Sequence, residues 1–251
     1  MMENNIAQKI TAFATIIALP FALGAFILTW APAQQFYLSD PRSDAYVPPR
    51  NIEKLITNVQ DSTVTIYCRP NDPKVKANLG SGWAIDLEND QGLRFQTTLI
   101  TNHHVIENCL DGKGKVTVSA LYGKEYQAVI DNWDEENDLA SIASALEVTP
   151  LKLSKYEPYA GYWVAAIGTA DGYEGSVAFG NVLNSTQLEI LMTAPLSGGN
   201  SGGPLVDNEG NVVGTNTFGQ IDEQYNGAMS LNALCLKIME CENELFWQVE
   251  E

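Results

Sequence analysis

The sequence predicts an all-β protein, and three observations carry that prediction. About a dozen short β-type runs, each bounded by turn residues, follow one another between residues 62 and 230. Their spacing is short and fairly regular, which suits barrels or a sandwich and leaves no room for the crossover helices of βαβ units. A chain of 251 residues that is 45% hydrophobic also has the means to bury one large all-β core or two smaller ones.

The N-terminus is the exception to the β texture. After Met1 to Lys9, the stretch from Ile10 to Trp30 runs 21 residues without a charge, and about 20 apolar residues span a bilayer core. It predicts an N-terminal hydrophobic helix. The stretch ends in Ala31-Pro32-Ala33, which has the form of a small-residue cleavage site, so residues 1–33 read either as a signal peptide or as an uncleaved membrane anchor. Both carry the rest of the chain across a membrane. The expectation is an exported protein, periplasmic or extracellular, with membrane association through residues 10–30 and anchoring to the inner membrane as one outcome. Residues 34–50, with Pro41, Pro48 and Pro49, read as a linker. The domain proper is expected over residues 51–251.

Asn51 to Val59 has the pattern of a short amphipathic helix. The strand-like runs then follow: 62–68, 82–87, 95–101, 115–121, 125–132, 139–142, 162–168, 176–184, 188–193, 204–206, 212–218 and 226–230. Leu231, Leu234, Cys235, Ile238, Met239, Leu245 and Phe246 recur near helical spacing behind Ser230 or Asn232 as N-cap, which predicts a C-terminal helix packed on the domain.

Charge narrows the partners. A formal net charge of −17 and a pI near 4.4 repel phosphates, so nucleic acid is excluded. The four cysteines, Cys68, Cys109, Cys235 and Cys241, match no CxxC pattern, and neither a metal nor any other cofactor is expected.

The chemistry concentrates in Ser197-Gly-Gly-Asn-Ser-Gly-Gly-Pro-Leu-Val206. Ser201 stands between two glycine pairs, where positive φ and close backbone approach cost little. A serine hydroxyl is a weak nucleophile and needs a base beside it and N–H donors for the oxyanion. Taken alone, the stretch reads more readily as a glycine-rich hairpin turn between two strands. The chain has only two histidines, His103 and His104, at the end of an apolar run. Asp138 directly precedes another apolar run, where it can be buried beside an imidazole. Asp131 and Asp134 are competing carboxylates.

Together, Gly80-Ser-Gly-Trp83, Thr101-Asn-His-His-Val105, Asp138-Leu-Ala140, Ala166-Ile-Gly168, Gly199-Asn-Ser-Gly-Gly-Pro-Leu205 and Gly214-Thr-Asn-Thr217 resemble the trypsin-like serine proteases, and among them the HtrA/Deg-type protease domain. The resemblance spans roughly residues 55–240. It implies two antiparallel six-stranded β-barrels, with a boundary near residues 150–160 and the active-site cleft between them. His104, directly before Val105, is the implied base; Asp138 orients it; Ser201 is the nucleophile. The backbone of Gly199, Asn200 and Ser201 is the implied oxyanion hole. Pro195, six residues before Ser201, and Ala228 with Met229 on the pocket wall imply cleavage after small or medium apolar residues.

The function expected is that of a serine endopeptidase acting on exported polypeptides through an acyl-enzyme. The alternative is a protease-like binding or holdase module whose oxyanion loop rests in an inactive shape. A third reading is self-processing within the linker. Glu251 comes about 21 residues after Ser230, too few for a PDZ module, so PDZ-based control is not expected. A Cys68–Cys109 bridge is left open, Cys235 and Cys241 are poorly placed to pair unless the helix breaks, and free thiols are the simplest expectation for all four.

Overall fold

The computed structural model describes residues 45–87, 97–219, 225–239, 241 and 245–247. They all belong to a compact unit that begins at Ala45. The hydrophobic segment from Ile10 to Trp30 and the linker up to residue 44 lie outside the described residues. Among the described residues no helix is long and apolar enough to cross a membrane. Three residues of the expected linker pack on the domain: Trp163 N–H donates to Ala45 O at 2.8 Å, Asn208 Nδ2 to Val47 O at 3.0 Å, and the Tyr46 ring meets Tyr162 edge-on.

Helix α1 (Ile52–Gln60) opens the fold, and Asn51 caps it by accepting from Lys54 N–H at 3.1 Å. Leu55 and Val59, four residues apart, form its buried stripe. Six antiparallel strands follow: β1 (Thr63–Pro70), β2 (Asn78–Ile85), β3 (Thr97–Thr101), β4 (Gly114–Ala120), β5 (Glu125–Asp134) and β6 (Leu139–Ser144). They close into a barrel in the order β1-β2-β3-β6-β5-β4. The second barrel uses β7 (Trp163–Ala170), β8 (Tyr173–Ser185), β9 (Glu189–Met192), β10 (Pro204–Val206), β11 (Val212–Gly219) and β12 (Asn226–Ser230), in the order β10-β11-β12-β9-β8-β7. All twelve expected strands are present, with ends shifted by a few residues, and the architecture is the two-barrel one.

Each barrel has its own core, built around Ile66, Leu99 and Ile142 in the first and Ile190, Met192 and Leu205 in the second. A third cluster joins them. Trp83, Ile85, Ile100 and Leu139 from one barrel meet Trp163, Ala165, Ile167, Val206, Val212 and Met229 from the other, and α1 covers the seam. Trp83 is fully buried there, and its indole N–H donates to Thr215 Oγ1 at 3.2 Å across the interface.

Two short helices complete the fold. Helix α2 (His103–Ile106) follows β3 directly and runs into a 3₁₀ turn (Glu107–Gly112). Helix α3 (Leu231–Lys237) starts at Ser230, whose hydroxyl accepts from Ala233 N–H at 3.3 Å. It ends nine residues short of Phe246, the last residue of the expected pattern. The early end corrects the cysteine expectation. With the helix broken after Lys237, Cys235 pairs with Cys241, and Cys68 pairs with Cys109, so none of the four is a free thiol.

Candidate active site

Sheet register delivers the base and the acid to one place. In the β3–β6 pair, Thr101 stands opposite Ala140, so the chain leaving β3 and the chain entering β6 meet at the same barrel end. His104 lies three residues past that point and Asp138 two before it. The Asp138 carboxylate binds His104 twice: Oδ2 contacts Nδ1 at 2.7 Å, and Oδ1 accepts the backbone N–H at 2.9 Å. The imidazole is thereby fixed through Nδ1, and its other nitrogen has no hydrogen-bond partner among the described residues. His103 is buried beside it and does not share this contact. Asp138 adopts φ +50°, a left-handed conformation that is uncommon outside glycine but that aspartate tolerates. Asn102 supplies one constraint, donating through Nδ2 to Asp138 O at 2.7 Å and to Thr217 Oγ1 at 3.0 Å.

The competing carboxylates are elsewhere. Asp131 accepts from Ser141 Oγ at 3.2 Å, and Asp134 is buried against Lys237 at 2.9 Å.

Ser201 sits in the loop leading to β10, and that loop's carbonyls are nearly all taken. Gly198 O accepts from Asp171 N–H at 2.7 Å, Gly199 O from Ser81 Oγ at 2.7 Å, Ser201 O from Ser81 N–H at 2.8 Å, and Gly203 O from Asn216 N–H at 2.8 Å. Gly202 N–H donates to Asn216 O at 2.7 Å. Two of the loop's glycines combine positive φ with a backbone atom where a Cβ would stand. Gly199 has φ +97° and a Cβ there would lie 2.2 Å from Thr169 O; Gly202 has φ +87° and a Cβ would lie 2.2 Å from Ser81 O.

This geometry trims the expected oxyanion set. Asn200 N–H donates to Ser197 O at 3.1 Å, so it is spent on the turn, and its side chain is buried. The amides of Gly199 and Ser201 have no acceptor among the described residues. The Ser201 hydroxyl donates to Thr217 O at 3.1 Å, and no hydrogen bond joins it to His104 among the described residues. The structure therefore brings His104 and Asp138 together and leaves Ser201 hydrogen-bonded to a neighbouring carbonyl.

The expected pocket residues do not gather. Pro195 is exposed, Ala228 lies inside the second barrel beside Ile190 and Val213, and Met229 points to the other face of β12, into the inter-barrel cluster. The residues around Pro195 touch Asn226 instead, whose Oδ1 accepts from Leu196 N–H at 3.3 Å. A side chain in the middle of a closed barrel strand faces either the barrel core or the opposite layer, and Ala228 and Met229 take one of these each.

Sequence reasoning assigned no role to Ser81, Asn102, Asn216 or Thr217. All four stand within the short motifs quoted above, but a motif does not say which hydrogen bonds its members make. Among the described residues, no three or more His, Cys, Asp or Glu side chains cluster as metal ligands.

The profile of the trypsin-like peptidase domain matches residues 80–214, more than half of the chain. The chain belongs to that family. A Synechocystis protein bearing the name serine protease HhoA is 32% identical over 158 residues, covering 56% of this chain and 37% of that protein. Drosophila virilis mitochondrial serine protease HTRA2 is 29% identical over 226 residues, covering 79% of this chain and 51% of its own length. This trypsin-like chain thus spans between a third and a half of these two relatives. The crystal structure of the Rv3671c protease of M. tuberculosis in its active form shares the fold, with a TM-score of 0.63 at 22% identity, covering 75% of this chain and 85% of that one.

Proposed function

We propose that this domain is a serine endopeptidase in which Ser201 attacks a peptide carbonyl, His104 takes the hydroxyl proton and returns it to the leaving amine, and Asp138 holds the imidazole and stabilises its cation. The Gly199 and Ser201 amides bind the oxyanion of the tetrahedral intermediate. Collapse of that intermediate gives an acyl-enzyme, which water hydrolyses with His104 again as base. The observation that carries this reading is the pair of hydrogen bonds the Asp138 carboxylate accepts from His104, together with the amides of Gly199 and Ser201, which have no acceptor among the described residues. Before reaction the Ser201 hydroxyl exchanges Thr217 O for His104, a rotation about one side-chain bond. Two disulfides support an exported location, because such bonds persist in oxidising compartments. A Chlamydia trachomatis relative named as a periplasmic serine endoprotease of DegP-like kind, 35% identical over 130 residues, points the same way. The substrates are then exported polypeptides in extended or unfolded form.

A fluorophosphonate probe tests the mechanism. The expected result is covalent labelling of Ser201 that is abolished in Ser201→Ala and His104→Ala. Folded protein that stays unlabelled while its disulfides are intact sinks the reading.

The Ser201–Thr217 hydrogen bond also favours a second reading, a polypeptide-binding module that rests with its nucleophile parked. Suppression of aggregation of a reduced client protein separates the two: a binding module keeps that effect in Ser201→Ala, and a peptidase shows client cleavage that the substitution removes.

A further inference from the structure

Lys237, the last residue of α3, is remote in sequence from all three proposed catalytic side chains, yet it grips the turn that presents one of them. Its Nζ donates to Asp134 Oδ1 at 2.9 Å, and its backbone carbonyl accepts from Asn132 Nδ2 at 2.6 Å. Asp134 is fully buried at the end of β5. Its carboxylate also receives Glu136 N–H at 3.1 Å, Asn137 N–H at 3.4 Å and Asn137 Nδ2 at 2.5 Å. Burial pushes the Asp134 carboxyl up, but the hydrogen bonds from Asn137 and Lys237 outweigh it and hold the group below its ordinary range.

A buried carboxylate with donors from three residues organises the turn it closes. The chain passes from Asn137 straight into Asp138 at φ +50°, a left-handed conformation that aspartate tolerates and that the hydrogen bonds on either side of it hold. Asn102 restrains that residue from the α2 side through its carbonyl. The Asp134-centred turn restrains it from the other side.

We infer that Lys237 and Asp134 are positioning residues for Asp138: the C-terminal helix, through the Lys237 ammonium and carbonyl, sets the turn that aims the Asp138 carboxylate at His104 Nδ1. This rests on the triad proposed above. Helix α3 is a firm support for such a task, with Leu231, Leu234 and Cys235 buried and Cys235 tied to Cys241 just past the helix end. Lys237 itself is half exposed, so its removal strips the buried carboxylate of a cation without opening a cavity in the core.

The test uses the full chain and three variants, Lys237→Met, Lys237→Gln and Lys237→Arg. Two readouts are followed: the rate of Ser201 labelling by a fluorophosphonate at saturating probe, and the low-field proton resonance of the His104 Nδ1–H shared with Asp138. Lys237→Met is expected to slow labelling on the order of tenfold, the scale of a small misplacement of a reacting group, without weakening probe binding. It is also expected to move or broaden the low-field resonance. Lys237→Arg restores both, and Lys237→Gln replaces Lys237→Met if the latter loses its near-ultraviolet circular dichroism. Wild-type labelling and an unmoved resonance in both neutral variants overturn the inference. Failure of the triad reading looks different: the wild type does not label, or His104→Ala labels as fast, while the resonance still reports whether Lys237 positions Asp138.

Discussion

The two barrels contribute to the candidate site in different ways. In the first, the proposed acid–base pair is assembled: register places His104 and Asp138 together, and two hydrogen bonds of 2.7 and 2.9 Å lock them. In the second, the loop around Ser201 is held by its carbonyls, while its hydroxyl is bonded to Thr217 O. The contrast teaches that strand pairing can deliver a base and its partner outright, whereas a nucleophile on a glycine-rich loop owes its position to contacts from outside its own strand.

Substitutions on either side break this contrast at different strengths. The largest loss is expected from Asp138→Asn, which keeps the shape but offers His104 an amide and the wrong tautomer; turnover should fall about 10⁴-fold, read as the rate of peptide hydrolysis. A loss under tenfold would show that the first-barrel pair is not the working one. Gly199→Ala should act on the second barrel alone. Its Cβ would lie 2.2 Å from Thr169 O at φ +97°, so the loop must shift and the oxyanion amide with it. About 10²- to 10³-fold of the labelling rate should go, with the low-field His104 resonance unchanged. Movement of that resonance would mean the halves are not separable.

Stability separates the halves further. Cys68–Cys109 spans 41 residues and anchors the turn after α2 to β1, five residues past His104. Replacing both cysteines by serine should lower unfolding free energy by about 4 kcal/mol on chain-entropy grounds, measured by denaturant titration. Equal stability of the variant would contradict the tether.

The smallest effect is expected at the β10–β11 turn. Burial pushes the Asp207 carboxyl above its ordinary range, although its side chain accepts N–H groups of Glu209 and Asn211, each at 2.9 Å. With the folded value above the unfolded one, the stability this group contributes is full below the ordinary aspartate range and is lost as pH rises through the raised value. Asp207→Asn retains the acceptor oxygen and should flatten the stability profile over that window. Parallel profiles for wild type and variant would remove Asp207 from the account.

Much of this was legible in the sequence, for reasons particular to each part. Short β-type runs bounded by turn residues marked all twelve strands, because run length and turn chemistry are local features. Barrel closure, by contrast, depends on β1 meeting β4 and β7 meeting β10, pairings between distant residues that leave no local trace. His104 and Asp138 stand together as expected because their motifs flank paired strands. Asn200 was misjudged as an oxyanion donor because its amide turns back to Ser197, a matter of loop conformation. Which face of β12 Ala228 and Met229 each present was not legible, because it is set by barrel packing. The Cys235–Cys241 pair was obscured by an apolar spacing that continues beyond the helix itself.

Ser81 carries a consequence of its own. It belongs to a first-barrel strand, yet its hydroxyl and amide hold Gly199 O and Ser201 O of the second, while its carbonyl accepts from Thr101 Oγ1 at 2.7 Å. The loop around Ser201 is therefore braced from across the barrel boundary. A second barrel standing alone would leave Gly199 O and Ser201 O without their Ser81 donors.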